Sequence, residues 1–359
     1  MPLEARLREI LSLPTAPFNE SAVHARIREA VRSNPRLRDR VDGHGNLEVV
    51  YGMGRPSLIY ACHTDHPALR IDGPNTAVIE GGIRADALVG ARLATFGDDP
   101  VHPEVTRVIE RGEGSGGRVR LKGATKLKKG TPLVLDLPPV SIAAGKVRAR
   151  AIDDGCAVAA CLAVIDTLTK RRWAGTVGFL FTRAEEVGFA GALGWVRETR
   201  YPKSTTVINL EMSNARPHTP QGAGPILRVG DRITVYDDSV SLALEATAKR
   251  LLKKDDGFRY QRALMDGGAC EATVYARGGF RAGALCLPLK NYHNHAPRSG
   301  VAREYVALAD AENMVRWMVG FAKDYGKKDP AAALEKRLDK LYRKHARRLI
   351  RTAREGEGR

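Results

Sequence analysis

Residues 57–69 read Ser-Leu-Ile-Tyr-Ala-Cys-His-Thr-Asp-His-Pro-Ala-Leu, an apolar run that stops on His63-Thr64-Asp65-His66. A second apolar run, Asn46-Leu47-Glu48-Val49-Val50-Tyr51, precedes it across a Gly-Met-Gly turn. Both are short, apolar and bounded by turn residues, so both read as strands, and His63 falls just past the carboxyl end of the second. Beyond residue 150 the pattern is strand against helix. Helix CAVAACLAVIDTLTKR leads to strand TVGFLF, helix AGALGWVRET, strand TTVINL, helix SLALEATAKRLLKK and strand RAGALCL. Strands that alternate with helices imply a mostly parallel sheet with helices on both faces. In such sheets ligands gather beyond the carboxyl ends of the strands, where His63 stands.

Upstream, residues 3–33 look helical, broken at Leu13-Pro14-Thr15-Ala16-Pro17 and restarted near Asn19-Glu20-Ser21, which can cap the helix AVHARIREAV. Downstream, residues 70–148 change texture: β-rich runs such as TAVIEGG, GGRVRLKG, TPLVLDL and KVRARAI are separated by Gly, Pro and Asp. The run Gly112-Glu113-Gly114-Ser115-Gly116-Gly117 looks like a phosphate-binding loop, but a strand follows it where a helix should start, so it reads as a hairpin turn. Residues 70–148 are therefore expected to be a small all-β domain inserted into an α/β domain made of 1–69 and 149–326.

The bulk composition agrees with a globular chain. Of 359 residues, 43% are hydrophobic and 28% charged, which excludes a disordered or fibrous protein. No apolar run approaches the roughly 18 residues of a membrane span, and the opening MPLEARLREILSLP lacks the order of a signal peptide, so a cytoplasmic protein with no membrane partner is expected. Five cysteines lie among small or apolar neighbours without a C-x-x-C pair, which marks them as reduced packing residues. The formal charge of +17 bears on association and solubility rather than on chemistry. Part of it is local: residues 327–359 carry 12 Lys or Arg against 5 Asp or Glu. There Leu334, Leu338, Leu341, His345 and Leu349 recur every three or four residues, the pattern of one basic amphipathic C-terminal helix. Its plain reading is a helix laid on its own subunit or on a neighbour, since charge alone is weak evidence for nucleic acid.

Five strand ends deliver acid or imidazole: His63-Thr64-Asp65, Asp153-Asp154, Glu185-Glu186, Glu211 and His293-Asn294-His295. Each alone means little, because a strand-end His or an acid pair usually meets water. Their succession is the signal. The strand Leu180-Phe181-Thr182 runs almost straight into Glu185-Glu186, and a carboxylate pair at a buried edge needs compensating positive charge. Two divalent cations would provide it, with Gly188 and Gly191 letting the next helix approach. Imidazole plus carboxylate suits Zn, Co or Mn rather than Ca or Mg. Two such ions can share a carboxylate and a bridging water, which points to hydrolysis.

In this order, as HTD, IDDG, EEVGFAGA, NLE and a final His, the motifs resemble those of the dinuclear metallo-aminopeptidases of the tetrahedral and glutamyl aminopeptidase type, over most of residues 5–323. The resemblance implies a zinc-exopeptidase-like α/β fold with a β domain between the first two motifs, as at 70–148. It implies His63 as a ligand of one metal with Asp65 orienting its ring, Asp153 as the shared carboxylate, often followed by a cis bond, and Asp154 serving geometry. Glu185 corresponds to the general base that takes a proton from the bridging water, Glu186 to a ligand of the second metal, and Glu211 to a ligand of the first, where the family usually has Asp. For the last ligand the resemblance offers two histidines: His293, five positions after Pro288 and directly after Tyr292, is favoured, with His295 then lining the pocket, while His295-Ala296-Pro297 resembles the family's His-Ser-Pro. His66, where relatives often have an acid, is expected either at the active-site rim or in a solvated loop, and Asp266 in a Gly-rich turn near the substrate.

The resemblance further implies two divalent ions, Zn or Co, short peptides as substrates, and a homo-oligomer, a dimer or a larger particle built through the β domain. Two other readings stand beside it. A carboxypeptidase or amide deacylase could use the same two ions. A nucleic-acid-associated protein on an inactive hydrolase scaffold would suit the charge, but the intact carboxylates and His63 argue against it.

Overall fold

The computed structural model describes residues 1–32, 34–113, 116–327 and 330–357, with side chains through 353. The N-terminal helices α1 (Leu3–Leu11) and α2 (Ser21–Arg32) precede strands β1 (Leu37–Val41), β2 (Leu47–Tyr51) and β3 (Leu58–His63). There follow β4 (Ala68–Gly73), β5 (Thr76–Glu80), β6 (Leu93–Ala94), β7 (Glu104–Arg111), β8 (Gly117–Lys122) and β9 (Pro132–Leu135), then the pair β10 (Ser141–Ala143) and β11 (Lys146–Ala149). The chain continues through α3 (Ile152–Lys170), β12 (Val177–Thr182), α4 (Ala190–Glu198), β13 (Thr206–Asn214), β14 (Ile226–Arg228), α5 (Asp238–Leu252), β15 (Gln261–Ala263), α6 (Glu271–Arg277), β16 (Arg281–Leu289), β17 (Glu304–Ala307), α7 (Leu308–Asp324) and α8 (Pro330–Glu357).

Among the described residues, eight strands form the main sheet in the order β1-β2-β12-β3-β13-β16-β14-β15. Its centre, β12-β3-β13-β16, is parallel throughout, and antiparallel pairings lie toward both edges. Side-chain alternation assigns the two faces. Leu58, Tyr60 and Cys62 of β3 pack with α1, α2, α3, α5 and α7, while Ile59 and Ala61 pack with Trp195 of α4 and Tyr275 of α6. The α/β class, with helices on both faces, is what the strand-helix alternation predicts. Helix α3 runs through the larger core with Ala157 to Ile165 all buried. Of these, Val158, Leu162, Val164 and Ile165 each contribute about 1.5–3 kcal/mol by their burial.

The insertion is a six-stranded sheet, β6-β9-β4-β5-β8-β7, over its own core of Leu69, Ile71, Val105, Val119, Leu121 and Leu133 among others. β10, which also lies within the β-rich stretch, pairs instead with β11, and β11 pairs with β17, in a separate three-stranded sheet. β7 and β8 are antiparallel, as a hairpin turn at 112–117 requires, although Gly114 and Ser115 lie outside the described residues. All five cysteines are buried and unbridged. α8 is the basic amphipathic helix that the tail predicts, but Leu334, Leu338, Leu341 and Leu349 are exposed, so its apolar stripe is not laid on its own subunit. No helix among the described residues is long and apolar enough to cross a membrane.

Candidate metal centre

The central strands bring the predicted residues to one end of the sheet. His63 closes β3 in register with Thr182 of β12, so the chain leaving β12 reaches Glu185 and Glu186 within three or four residues. On the other side Asn209 of β13 pairs with Ala61, and β13 continues past the end of β3, which sets Glu211 level with His63. Asp153 comes from the first turn of α3, and the Asp153–Asp154 bond is cis. His293 follows β16 in a short turn.

Three groups of donor atoms result, each with all its atoms within 4.8 Å of one another: His63 with Asp153 and Glu211, Asp153 with Glu186 and His293, and His63 with Glu185 and Glu186. Asp153 belongs to two of them through different oxygens. Its Oδ1 lies 3.3 Å from His63 Nε2 and its Oδ2 lies 3.7 Å from His293 Nε2. Glu186 Oε2 is 3.4 Å from His293 Nε2, and Glu211 Oε1 is 4.0 Å from His63 Nε2.

The electrostatics call for cations. Two like charges 4 Å apart repel by about 4 kcal/mol at an effective dielectric of 20, and here the carboxyls of Asp65, Asp153, Asp154, Glu185, Glu186 and Glu211 crowd two imidazoles. Burial, with Asp153 and Glu185 nearby, pushes the Glu186 carboxyl well up, and burial with Asp153 pushes Glu211 up to about 8. Burial likewise raises Glu185 and Asp154. Burial opposes charge on His63, but Glu185, Asp153 and Asp65 outweigh it and raise its pKa, whereas burial lowers His293 to about 4. Glu186 Oε1 and both Asp154 carboxyl oxygens are buried with no hydrogen-bond partner among the described residues. Acceptors left bare in a buried cluster of imidazole and carboxylate fit divalent ions such as Zn or Co.

The surroundings orient this set. Asp65 accepts the N–H of Glu185 at 3.0 Å and of Glu186 at 3.1 Å through its two oxygens, while His63 Nδ1 is 3.1 Å from the Asp65 carbonyl and 3.5 Å from its carboxylate. The Asp65 carboxylate thus lies beside the His63 ring and holds the main chain of both glutamates. Gly188 has φ +107°, and a Cβ at Gly191 would stand 2.4 Å from the Arg183 carbonyl, so both positions depend on glycine. The His293 turn is strained, with φ of +58°, +51° and +60° at Asn291, His293 and Asn294. Each such residue costs on the order of 1–3 kcal/mol and needs support from its surroundings.

Other candidates land elsewhere. His66 is at neither the rim nor in solvent; it is fully buried, its ring nitrogens 2.5 Å from the Asp153 carbonyl and 3.0 Å from Asn294 Oδ1. The buried Asp153 carbonyl requires a partner where water cannot reach. His295 turns away from the donor groups, and its Nε2 accepts the N–H of Arg84 in the insertion. Asp266 is exposed and pairs with Arg216 at 2.6 Å. Arg216 lines a pocket of about 170 Å³ beside Glu211, together with Ser213, Arg228, Met265 and Tyr292. Arg228 is buried there, donating to Ser213 and to the Gly268 carbonyl.

Sequence reasoning passed over Glu304, which accepts the N–H of Asp153 and of His293, and Gly82, which accepts a hydrogen bond from the His293 ring. Neither carries a signal: one is a lone acid in a polar stretch, the other one of 36 glycines.

No curated protein matches the chain. Among solved structures, a TET aminopeptidase from a marine-sediment Thaumarchaeota archaeon is similar, with a TM-score of 0.78 at 19% identity over 92% of this chain and 99% of that one. The Pyrococcus horikoshii TET1 peptidase gives 0.74 at 20% identity over 89% and 99%, and an aminopeptidase of Desulfurococcus kamchatkensis 0.73 at 19% over 92% and 96%. At these identities the likeness is one of fold. The family model of the M42 glutamyl aminopeptidases matches residues 122–315, more than half of the sequence. The chain belongs to the M42 glutamyl aminopeptidase family, metal-dependent aminopeptidases that hydrolyse peptide bonds.

Proposed function

We propose that this protein removes the N-terminal residue from short peptides at a centre for two divalent ions, Zn or Co. His63, Asp153 and Glu211 would hold one and Asp153, Glu186 and His293 the other. The observation that carries the reading is Asp153, whose two oxygens face two different histidines. Bound there, the ions supply Lewis acidity, lowering the pKa of water and polarising the scissile carbonyl.

The chain's own residues do the rest. Glu185 takes the proton of the attacking water and delivers it to the leaving amine, a step for which a raised carboxyl pKa is suited. Asp65 fixes the backbone of Glu185 and Glu186, so that one side chain binds and its neighbour stays free. The pocket beside Glu211 receives the side chain of the first residue, and Arg216 and Arg228 favour an acidic one. The insertion, as a domain of about 70–148, supports dimers and screens access. Homo-oligomeric assembly is supported by the P. horikoshii TET1 peptidase, which can form a tetrahedron or a large octahedral shell. We place the protein in the cytoplasm.

The test is metal analysis of purified protein with a panel of aminoacyl anilides against N-acyl amino acids and C-terminally free peptides. Two ions per chain and turnover of the anilides are expected. Glu185→Gln should keep both ions and lose on the order of 10²–10⁴ in kcat. Turnover confined to N-acyl substrates would move the protein to the deacylases, and unchanged turnover in the variant would remove Glu185 from the base role.

A further inference from the structure

Glu304 opens β17 opposite Ala149 of β11, the strand that feeds the chain toward Asp153. Its carboxylate has no exposure to solvent. One oxygen accepts the N–H of Asp153 at 3.0 Å and the other the N–H of His293 at 2.8 Å. A single side chain thus spans two segments 140 positions apart in sequence, and both present a side chain to the same group of donor atoms, Asp153 with Glu186 and His293.

A second brace runs alongside. His66 lies between the Asp153 carbonyl and Asn294 Oδ1, and Asn294 Nδ2 donates to the carbonyls of Arg150 at 2.8 Å and Ala302 at 3.2 Å. The chain on both sides of Asp153 is therefore tied to the turn that carries His293. That turn has left-handed backbone at three non-glycine residues and would relax if its contacts were released. Relaxation would withdraw the His293 imidazole. The group formed by His63, Asp153 and Glu211 depends on these braces through Asp153 alone, because His63 and Glu211 sit on adjacent strands of the sheet.

We propose that Glu304 is a positioning residue that sets the distance between Asp153 and His293 and thereby governs occupancy of one metal position, the one formed by Asp153, Glu186 and His293. This rests on the dinuclear reading above. Glu304 touches neither substrate nor ion; it acts through the two main-chain N–H groups it holds. The asymmetry separates this role from plain structural support, which would weaken both positions alike.

The test is a Co²⁺ titration of the full chain after dialysis against chelator, read as ions bound per chain and as visible absorption. The wild type is expected to bind two. Glu304→Gln keeps one oxygen and turns an NH₂ toward the other N–H; it is expected to bind the first ion as the wild type does and the second roughly 10–100-fold more weakly, the usual scale for removing a partner of a ligand. Its kcat should fall with KM little changed, and excess Co²⁺ should restore it. Glu304→Asp, with both oxygens but one methylene fewer, should fall between, and it carries the same test if the Gln variant does not fold. Equal weakening at both positions, or two ions bound with wild-type affinity, would overturn the proposal while leaving the dinuclear reading intact. A wild type that binds fewer than two ions would overturn that reading, and this proposal with it.

Discussion

Asp65 accepts the main-chain N–H of Glu185 at 3.0 Å, which places the candidate base on a support rooted in the motif that also carries His63. The second oxygen of Asp65 holds Glu186 in the same way. An amide at this position would satisfy only one of the two N–H groups. Asp65→Asn is expected to keep its metal and to lose kcat on the order of 10²-fold, the scale of a small misplacement of a reacting group. Steady-state kinetics beside metal analysis check this, and a variant that loses its ions instead would make Asp65 a ligand support and not a support of the base.

Removing the ions should make stability depend on pH in a defined direction. Burial and Asp153 push Glu211 up to about 8 in the folded chain, against 4.5 for an ordinary glutamate, and Glu186 is pushed up as well. Between these values the unfolded chain has released the proton and the folded chain retains it, so the metal-free protein should lose stability as pH rises from about 4.5 through 8. Bound ions replace those protons and should flatten the slope. Ions present at 1,000 times their Kd would add about 4 kcal/mol per site. Denaturant unfolding at pH 5 and pH 8, with chelator and with Co²⁺, measures both effects; a metal-free protein more stable at pH 8 would contradict the reading.

The arginine-lined pocket makes a prediction about substrates. Arg216 is partly exposed and already paired with Asp266, so Arg216→Ala should fold normally. A hydrogen bond to a charged group is worth about 1.5–3 kcal/mol, so the variant should lose roughly 10-fold or more in kcat/KM on glutamyl anilide. Leucyl anilide should be unaffected. A uniform loss across the panel would detach the pocket from the recognition of the first side chain.

The parts of the fold that could be read from the sequence are those whose burial is written in the chain. β3, β12, β13 and β16 are continuous apolar runs because both of their faces are covered, and α3 is apolar all round because it is buried all round. β1, Leu-Arg-Asp-Arg-Val, escaped notice because it is an edge strand and four of its five residues are exposed; charges there discourage pairing with another chain. β14 and β15 have three residues each, too few for a period to register. At the site, the donor residues were legible because their motifs cluster at strand ends. The burial of His66 and the bond from Asp153 to Glu304 were not, since these partners lie 87 to 228 positions apart and no local pattern encodes such distances.

Gly82 offers a direct check on the second ligand. A Cβ built there would stand 2.0 Å from His293 Nδ1, closer than any relaxed contact, and the obstacle is a ring already held in a strained turn. Gly82→Ala is therefore expected to displace the imidazole and to bind one ion fewer than the wild type while melting within a few degrees of it. Two ions bound at wild-type affinity would show that the turn can yield.

Gly82 belongs to the stretch inserted after β3, and Arg84 two residues on donates its N–H to the His295 ring. The insertion therefore reaches back as a finger into the chemistry of the body that hosts it. Trimming it to obtain a minimal enzyme would leave an intact scaffold with an untethered histidine. Transplanting it from a relative would succeed only if the graft preserved the small residue at its tip, so the two modules are bound to change together.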